Sequence, residues 1–450
     1  MIEANGAKVL LDLGMFQGPR EQAREFNQWV PDDATHVDAV VLSHGHLDHC
    51  GKLPLLVKSG FSGPIYCTGA TAEVARIVLE DAAEIQEEDA SYLNQRRGPG
   101  EPLIEPIFNR ADAHDVYKRW QRVPYRQKTQ IPGRNGGGVS FTYFDAGHIL
   151  GSAYVLLECT EKGRSRRLLF TADVGRYDTP IINDPFPIDG EVDLVITEST
   201  YGNRRHAPMN EVAPQLLEAV RSCIQQRSRL IVPSFAVGRT QTVLHYVQQF
   251  IHENQIPAIP IYVDSPMGVE VTRAYQQFRD GYDPITNELI GKKDLFALSR
   301  VTMASSAEES KRINADRGPC VIIASSPTCE FGRVLHHLRQ SIENPSDQVV
   351  FVGWIPPQTL GRRLQDGQKR VRIYDRWYDV RCRIQTIHGL SAHADGDELI
   401  RFLKPTIGPK TRAFVVHGEE DQAEAFAARL VENGMGSATV PALETSVMEL

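Results

Sequence analysis

The sequence lacks paired cysteines and any long apolar run. Its seven Cys residues are scattered without the regular spacing of a disulfide framework, so we expect them to be reduced thiols. No apolar run approaches the roughly 20 residues that a membrane-spanning helix needs, so we expect no membrane partner. Residues 1–11 also lack the basic and apolar regions of a signal peptide. Together these absences predict a cytoplasmic protein.

Positive charge is also in short supply, because the formal net charge of the 450 residues is −8. A negative total argues mildly against a nucleic-acid partner, but phosphate binding depends on local basic grooves and not on the total. The stretch 362–383 is a local exception, since it is rich in Arg and interleaves Tyr374, Trp377 and Tyr378. It predicts a phosphate-binding surface that includes Arg362 and Arg363. The alternative is a solvated face.

Two expectations follow from length and from Pro and Gly content. A chain of 450 residues is long for a single hydrophobic core, so two or three domains are expected.

Residues 98–138 are rich in Pro and Gly around one helical piece near 112–122. This composition predicts a long insertion that lies over a functional site.

The densest group of polar side chains lies at residues 43–49, whose sequence is SHGHLDH. It directly follows an apolar run that predicts a buried strand, and α/β sheets place their chemistry on loops at such strand ends. Imidazole and carboxylate groups together suit zinc or a similar divalent ion. His44 and His46 can converge on one ion from a tight turn, whereas Asp48 and His49 predict a second ion beside it. The alternative is a polar surface loop that happens to be rich in His.

Other predicted strands also end in His, Asp or Glu. The strand at residues 7–12 ends in Asp12, from where a carboxylate can support a metal-ligand His. Later strands repeat the pattern, and such repetition at one sheet edge predicts a shared site. The side chains concerned are Asp12, His148, Asp173, Glu198, His393 and His417.

From residue 204 onward, short β-branched runs alternate with helical stretches. This alternation predicts a parallel sheet with crossover helices, hence a Rossmann-like domain inserted into a metal domain. Its strand ends carry polar turns that open helices, where N–H groups and Ser hydroxyls can hold phosphate. Ordinary helix capping by Ser is the alternative. The residues of these turns are Ser234, Arg239, Ser265, Ser325 and Ser326.

In combination these residues resemble the metallo-β-lactamase fold of binuclear hydrolases. The loop HGHLDH at 44–49, with Asp12, His148, Asp173 and His417, carries the resemblance. It implies an α/β fold, in which an αββα sandwich is interrupted by the inserted Rossmann-like domain. This family has one or two strands ahead of residue 7, and we expect these to be missing here.

Three further segments resemble the β-CASP branch of this family. They are TEST at 197–200, SAH at 391–393 and VHGE at 416–419. The branch includes the endonuclease of eukaryotic pre-mRNA 3′-end cleavage and bacterial and archaeal RNA-processing enzymes. The end of the chain resembles the family's RNA-specificity metallo-hydrolase segment. The implied domains are a first metallo-β-lactamase part at 1–203, a β-CASP domain at 204–384 and a C-terminal metallo-β-lactamase part at 385–450.

The resemblance also implies the metal ligands and their roles. Two Zn²⁺ are expected, the first held by His44, His46 and His148, the second by Asp48, His49 and His417, with Asp173 bridging them. Glu198 is expected to orient His393, which protonates the leaving oxygen. Asp48 and Asp12 complete the expected catalytic set. A His at position 417 is typical of the RNA-processing members, because the DNA-processing members have an apolar residue there.

The implied function is a zinc-dependent ribonuclease that uses a two-metal hydroxide mechanism. Its expected substrate is single-stranded RNA, held in the cleft between the domains and cut internally, with 5′-exonuclease action and a homodimer left open. One alternative is a non-catalytic RNA-binding scaffold subunit, but such members usually lose ligands. Another is a small-molecule hydrolase of the same metal fold, which needs neither the inserted domain nor His393.

Overall fold

The computed structural model describes residues 1–18, 20–98, 100–161, 163–292, 296, 301–353 and 355–442. The chain forms two compact units. The first contains Met1–Tyr177, Asp184–Arg204 and His393–Leu450, and the second contains Asp178–Asn183 and Arg205–Ala392. The predicted α/β fold with an inserted parallel α/β domain is confirmed. The sequence did not indicate that residues 178–183 join the second unit. Residues 443–450 of the predicted C-terminal part lie outside the described residues.

One sheet of the first unit begins at the N-terminus. Its five strands follow one another in space as they do in the chain, and all neighbours are parallel except the first two. The expectation that no strand precedes residue 7 is wrong, because Asn5 and Gly6 both have positive φ and form a hairpin turn. The strands are Ile2–Ala4, Ala7–Leu11, Ala39–Val41, Ile65–Cys67 and Trp120–Arg122.

The second sheet of this unit has seven strands and includes the end of the described chain. Leu194–Thr197 lies between Arg164–Phe170 and Arg412–Val415 and is parallel to both. Thr197 stands opposite Val415 in this register, so the residues after these strands leave the same sheet edge. In spatial order the strands are Ser437–Thr439, Arg412–Val415, Leu194–Thr197, Arg164–Phe170, Ala153–Glu161, Gly138–Asp145 and Thr129–Pro132.

Apolar side chains of the two sheets pack against each other and form the core of the first unit. Val9 and Val41 of the five-stranded sheet share a buried cluster with Phe141 and Val155 of the seven-stranded sheet. Helices cover the sheets from outside, which gives the four-layered sandwich. They are Arg20–Asn27, Leu47–Cys50, Leu53–Lys58, Gly69–Asn94, Arg110–Tyr117, Gly396–Leu403 and Glu420–Glu432, with 3₁₀ turns at Asp32–His36 and Arg134–Gly136.

The prediction of a long insertion at 98–138 is wrong in its secondary structure. A helix at Arg110–Tyr117 begins with a capping box between Asn109 and Asp112. The strands Trp120–Arg122 and Thr129–Pro132 then each add an edge to one of the two sheets. Edge strands tolerate Pro because one side of the strand needs no hydrogen bonds, so a composition that suggested a loop is compatible with a strand.

The second unit has a sheet of six parallel strands and a separate hairpin. In spatial order the strands are Val301–Ala304, Ile261–Asp264, Cys320–Ala324, Arg229–Pro233, Gln348–Phe351 and Arg383–Thr386, and the hairpin joins Arg370–Ile373 to Arg376–Asp379. Central strand residues such as Ile231, Ile322 and Val349 are fully buried, as expected for a parallel sheet. The helices are Val212–Gln225, Arg239–His252, Pro266–Gln277, Pro284–Lys292, Ala307–Ala315, Val334–Ser341 and Leu360–Gln365, with 3₁₀ turns at Met209–Glu211 and Arg279–Gly281.

The cysteines agree with the expectation drawn from their spacing in the sequence. All seven cysteines lie in the described residues and are free thiols, as predicted, and only Cys159 is partly exposed. Among the described helices, none combines the length and the apolar character that crossing a bilayer requires.

Candidate metal centre

The His-rich loop lies at the end of the buried strand Ala39–Val41 in the first unit. His46 precedes the short helix Leu47–Cys50, which places Asp48 and His49 one turn further along. The segment after Asp12 runs beside this helix, where Leu13 N–H donates to the His49 carbonyl at 2.9 Å. A Cβ on Gly14 would lie 1.6 Å from the Asp48 carbonyl oxygen, so only glycine permits this approach.

Four side chains converge to form a first donor set. His46 Nδ1 lies 3.0 Å from His44 Nε2 and 3.2 Å from His148 Nε2. Asp173 Oδ2 lies 3.5 Å from His44 Nε2 and 3.4 Å from His148 Nε2. These four donor atoms come from three different strand ends and together can hold one metal ion.

A second donor set uses the other oxygen of Asp173. Asp173 Oδ1 lies 3.3 Å from His49 Nε2 and 3.4 Å from His417 Nε2. Asp48 Oδ2 lies 3.8 Å from His417 Nε2 and completes the group. The Asp173 carboxylate thus faces one set with each oxygen.

The two sets fit divalent metal ions of the zinc type. Two atoms bound to one tetrahedral Zn²⁺ at 2.0–2.1 Å lie about 3.3–3.4 Å apart, which is close to most of the separations above. His49 Nε2 and Asp173 Oδ1 are buried and lack a hydrogen-bond partner of good geometry, so a cation between them would satisfy both. The all-His-and-carboxylate donor chemistry also suits zinc.

The electrostatics of the centre favour neutral His44 and His46 rings and an ionised Asp173, but a protonated His49. Burial lowers the pKa of His44 well below its usual value and that of His46 to about 4. Burial would raise the pKa of Asp173, but His417 and His49 outweigh it and hold that pKa well below the usual range. Burial also lowers the pKa of His49, but Asp173 and Asp12 hold it well above normal, so a cation must displace that proton.

Asp12 contacts His49 of the second set through the ring nitrogen that does not face Asp173. Its Oδ2 lies 2.7 Å from His49 Nδ1 and accepts from the Ser43 hydroxyl at 2.6 Å, while its Oδ1 accepts from the Ser43 N–H at 2.7 Å. This arrangement fixes the ring so that Nε2 points toward Asp173. Asp12 and His417 also have φ of +54° and +50°, and such strain in residues other than Gly concentrates at functional sites.

Glu198 and His393 form a third cluster with Asp173. His393 Nδ1 lies 3.1 Å from Glu198 Oε2 and 3.9 Å from Asp173 Oδ2. The other oxygen of Glu198 accepts from the Val174 N–H at 2.7 Å, which fixes the carboxylate. Burial lowers the pKa of His393, but Glu198 and Asp173 outweigh it and raise that pKa to about 9, so the ring holds a proton.

The serines that the sequence predicted to bind phosphate lie at the ends of neighbouring strands in the second unit. Ile261–Asp264, Cys320–Ala324 and Arg229–Pro233 are adjacent and parallel, so Ser265, Ser325 and Ser234 leave one sheet edge. The Ser265 and Ser325 hydroxyls lie 2.9 Å apart.

Helix capping explains one of these serines. Ser265 caps Pro266–Gln277 by accepting from the Gly268 N–H at 3.0 Å, as the alternative interpretation expected. Ser234 is fully buried and does not cap the next helix, whose N-cap is Gly238. The Ser326 hydroxyl lies 2.8 Å from that of Thr328. Capping therefore accounts for Ser265 but not for Ser234.

The predicted basic residues of this unit all have protein partners. Arg239 donates to the Val352 carbonyl. Arg362 donates to Asp366 on its own helix at 2.9 Å, and Arg363 lies 3.6 Å from Glu330. A phosphate that binds the last two arginines must therefore compete with these carboxylates.

Sequence reasoning missed several residues around the metal centre. Ser43 binds both oxygens of Asp12, and its hydroxyl lies 3.0 Å from His44 Nδ1. Its position directly before the first His could have identified it. Arg176, which is buried, and Glu398, which is partly exposed, form an ion pair next to the His393 segment, although 222 residues separate them in the chain. No local pattern indicates that contact.

Three protein-family models match successive parts of the chain. The Metallo-beta-lactamase superfamily domain matches residues 1–173, and the Beta-Casp domain matches residues 240–364. The Zn-dependent metallo-hydrolase RNA specificity domain matches residues 377–441. The first of these models includes most of the proposed metal donors, and the third includes His393 and His417.

Curated relatives match along most of the chain. Ribonuclease TTHA0252 of Thermus thermophilus is 33% identical over 435 residues, which are 96% of this chain and 93% of that protein. An RNase J-like protein of Methanocaldococcus jannaschii is 29% identical over 95% of this chain and 90% of its own length. Transcription termination factor FttA of Methanosarcina mazei is 28% identical over 92% of this chain and 63% of its own length. The chain therefore belongs to the β-CASP branch of the metallo-β-lactamase superfamily and is a metal-dependent hydrolase of that family.

Proposed function

We propose that the chain is a zinc-dependent ribonuclease that hydrolyses RNA phosphodiester bonds in RNA processing, decay or termination. The observation that carries the proposal is the Asp173 carboxylate, whose two oxygens face two separate donor sets while His393 Nδ1 lies 3.9 Å from one of those oxygens. A two-metal phosphodiesterase uses such a pair of sites, and a proton donor assists departure of the leaving oxygen. The RNA-specificity match and the names of the relatives support RNA as the substrate.

The proposed ligands are those of the two donor sets. His44, His46 and His148 hold one zinc ion, Asp48, His49 and His417 hold the other, and Asp173 bridges them. When bound, the two ions supply Lewis acidity and activate water for attack on phosphorus. Asp12 keeps His49 in the tautomer that leaves Nε2 free for the metal.

In this proposal the protein's own residues handle the proton that the leaving oxygen needs. The alkoxide of a ribose leaves poorly unless it is protonated in the transition state. His393 holds that proton, and Glu198 keeps Nδ1 protonated and turns Nε2 outward. The anchoring of Glu198 by the Val174 N–H keeps this orientation fixed beside Asp173.

A comparison of substrates tests the proposed activity. We expect cleavage of labelled single-stranded RNA, loss of that cleavage on chelation and its return with added zinc. DNA and a chromogenic β-lactam are expected to be poor substrates under the same conditions. RNA binding without cleavage at full zinc occupancy would instead support the scaffold alternative, and turnover of the lactam alone would support a small-molecule hydrolase.

The metal content is a separate prediction. We expect two zinc ions per chain, because seven donor residues in two sets exceed what one tetrahedral ion can use. Elemental analysis of zinc-supplemented, dialysed protein measures this number. A value of one or fewer at saturation would contradict the bridged arrangement.

The basic stretch 362–383 is proposed to bind the RNA backbone. Charge reversal of Arg362 and Arg363 together is expected to weaken RNA binding and to reduce the salt slope by about 1.4, since each lost contact to single-stranded nucleic acid removes about 0.7. A matched double reversal of Arg221 and Arg273, on other helices of the same unit, is expected to change neither. Wild-type affinity and slope in the first variant would place the RNA elsewhere.

Location, assembly and mode of cleavage complete the proposal. A cytoplasmic location is supported by the seven free thiols, which suit a reducing compartment. The homodimer stays a prediction, which sedimentation analysis tests. RNA labelled at its 5′ end distinguishes internal cuts, which release long labelled fragments, from 5′-exonuclease action, which releases labelled mononucleotides.

A further inference from the structure

We propose that Arg176 and Glu398 form a clamp that positions His393 against Asp173. The proposal rests on the proposed function, in which His393 protonates the leaving oxygen. Arg176 follows Asp173 by three residues, and Glu398 follows His393 by five. The pair therefore ties together the two chain segments that carry the bridging carboxylate and the acid.

Arg176 is the buried partner of the ion pair, and the Glu398 side chain is 17% exposed. The Arg176 side chain is 5% exposed, and its Nε lies 3.3 and 3.4 Å from the two carboxylate oxygens of Glu398. A charge buried to this extent is strongly disfavoured without its partner, so each side chain restricts the position of the other. A Lys lacks the planar guanidinium whose Nε makes both contacts, so it does not reproduce this geometry.

Glu398 also binds the backbone of both segments. Its Oε2 accepts from the Asp395 N–H at 2.9 Å, and its Oε1 lies 3.4 Å from the Tyr177 nitrogen. Asp395 in turn accepts from the Glu398 N–H at 3.0 Å and caps the helix Gly396–Leu403. A single carboxylate thus joins Asp395, two residues after His393, to the loop that follows Asp173.

The same two segments meet in a short antiparallel bridge. Gly175 pairs with His393, and the Ala394 N–H donates to the Val174 carbonyl at 2.8 Å. A Cβ on Gly175 would lie 1.7 Å from the Gly147 carbonyl oxygen, so this loop is also pressed against the segment that carries His148. The Arg176–Glu398 pair adds a side-chain contact between the same two segments, directly after Gly175 in the chain.

The clamp and Glu198 fix different aspects of the His393 position. Glu198 holds the ring through Nδ1 and sets its rotation. The clamp holds the backbone on which the ring stands, and neither Arg176 nor Glu398 is a donor of the two sets. Loosening it is therefore expected to displace the proton donor without removing a metal ligand, and misplaced catalytic groups lose rate steeply.

A change of leaving group tests the clamp. In Arg176→Lys and in Glu398→Gln, we expect kcat for RNA to fall by about 10- to 100-fold, with KM and zinc content within about twofold of wild type. Hydrolysis of bis(p-nitrophenyl) phosphate is expected to stay within about threefold, because its aryl oxide leaves without needing a proton. Glu398→Gln is nearly isosteric, so it tests the proposal even where Arg176→Lys folds poorly.

Two reference variants complete the experiment. Arg166→Lys alters another Arg–carboxylate pair of the same unit, with Asp193 at 2.7 Å, and is expected to change neither activity. His393→Ala shows how much more RNA cleavage falls than hydrolysis of the aryl ester when the acid is lost. Equal losses on both substrates in the clamp variants, zinc loss in both of them, or unchanged RNA cleavage would overturn the clamp.

The reference variant also separates the clamp from the proposed function. If His393→Ala spares the aryl ester and the clamp variants do not, only the clamp is overturned. If His393→Ala itself loses both substrates equally, the acid role in the proposed function fails, and the clamp fails with it. The proposal is supported if His393→Ala and both clamp variants lose RNA cleavage but keep hydrolysis of the aryl ester.

Discussion

Replacement of His393 with alanine is expected to slow RNA cleavage by about 10²–10⁴-fold while zinc content stays at the wild-type level. The ring lies 3.1 Å from Glu198 and 3.9 Å from Asp173, and both donor sets are complete without it. Its loss should therefore affect protonation of the leaving oxygen and not the metals. Single-turnover cleavage of end-labelled RNA, combined with elemental analysis, measures both quantities.

A second His of the same unit provides the control for this variant. His114 is exposed on the helix Arg110–Tyr117, so His114→Ala is expected to leave both cleavage and zinc content unchanged. His393 could instead be a ligand, since its Nδ1 shares a possible metal-binding group with Asp173 and Glu198. Zinc loss in His393→Ala would favour that role, and an unchanged rate would remove His393 from the mechanism.

Much of the metal centre could be predicted because its signals are local. The apolar residues 39–42 indicate a buried strand, and the His and Asp that follow it are adjacent in sequence. His148 and Asp173 follow two strands of the other sheet, Gly138–Asp145 and Arg164–Phe170. Both strands pair antiparallel with Ala153–Glu161, so they run in the same direction and end at the same sheet edge. The side chains of all seven predicted ligands lie in the two donor sets.

What the sequence did not indicate depends on contacts between distant residues. The Arg176–Glu398 pair has no periodicity or motif, since each residue alone resembles an ordinary surface charge. The N-terminal hairpin was overlooked although Asn5-Gly6 is a strong turn signal. The edge strands within 98–138 were hidden by the Pro and Gly around them, because Pro is compatible with an edge strand as well as with a loop.

The serine turns of the second unit show that sequence alone predicts where a residue lies better than what it binds. The alternation of strands and helices was sufficient to predict that Ser234, Ser265 and Ser325 share one sheet edge, because the connections in such sheets are regular. It was not sufficient to separate capping from ligand binding. A capping Ser and a phosphate-binding Ser occupy the same place in sequence, and only the Gly268 N–H partner identifies Ser265 as a cap.

Replacement of Asp173 with asparagine is expected to abolish RNA cleavage and to reduce zinc from two ions to fewer than one per chain. This side chain is 1% exposed and is the only donor that the two proposed sets share. Its negative charge would balance cations bound by both sets, whereas an amide of the same shape supplies no charge and only one oxygen. Elemental analysis and single-turnover cleavage measure the two effects.

The zinc content of Asp48→Asn, compared with that of Asp173→Asn, distinguishes a ligand of one ion from a ligand shared by two. Asp48 contacts only the second set, so its variant is expected to lose one ion and keep the other. Added zinc should raise the thermal unfolding midpoint of wild-type protein, since a ligand that binds only the folded state stabilises it, and Asp173→Asn should lose this response. Asp193→Asn, a carboxylate paired with Arg166 in the same unit, should retain it. Two zinc ions retained in Asp173→Asn would show that the carboxylate does not bridge the two sets.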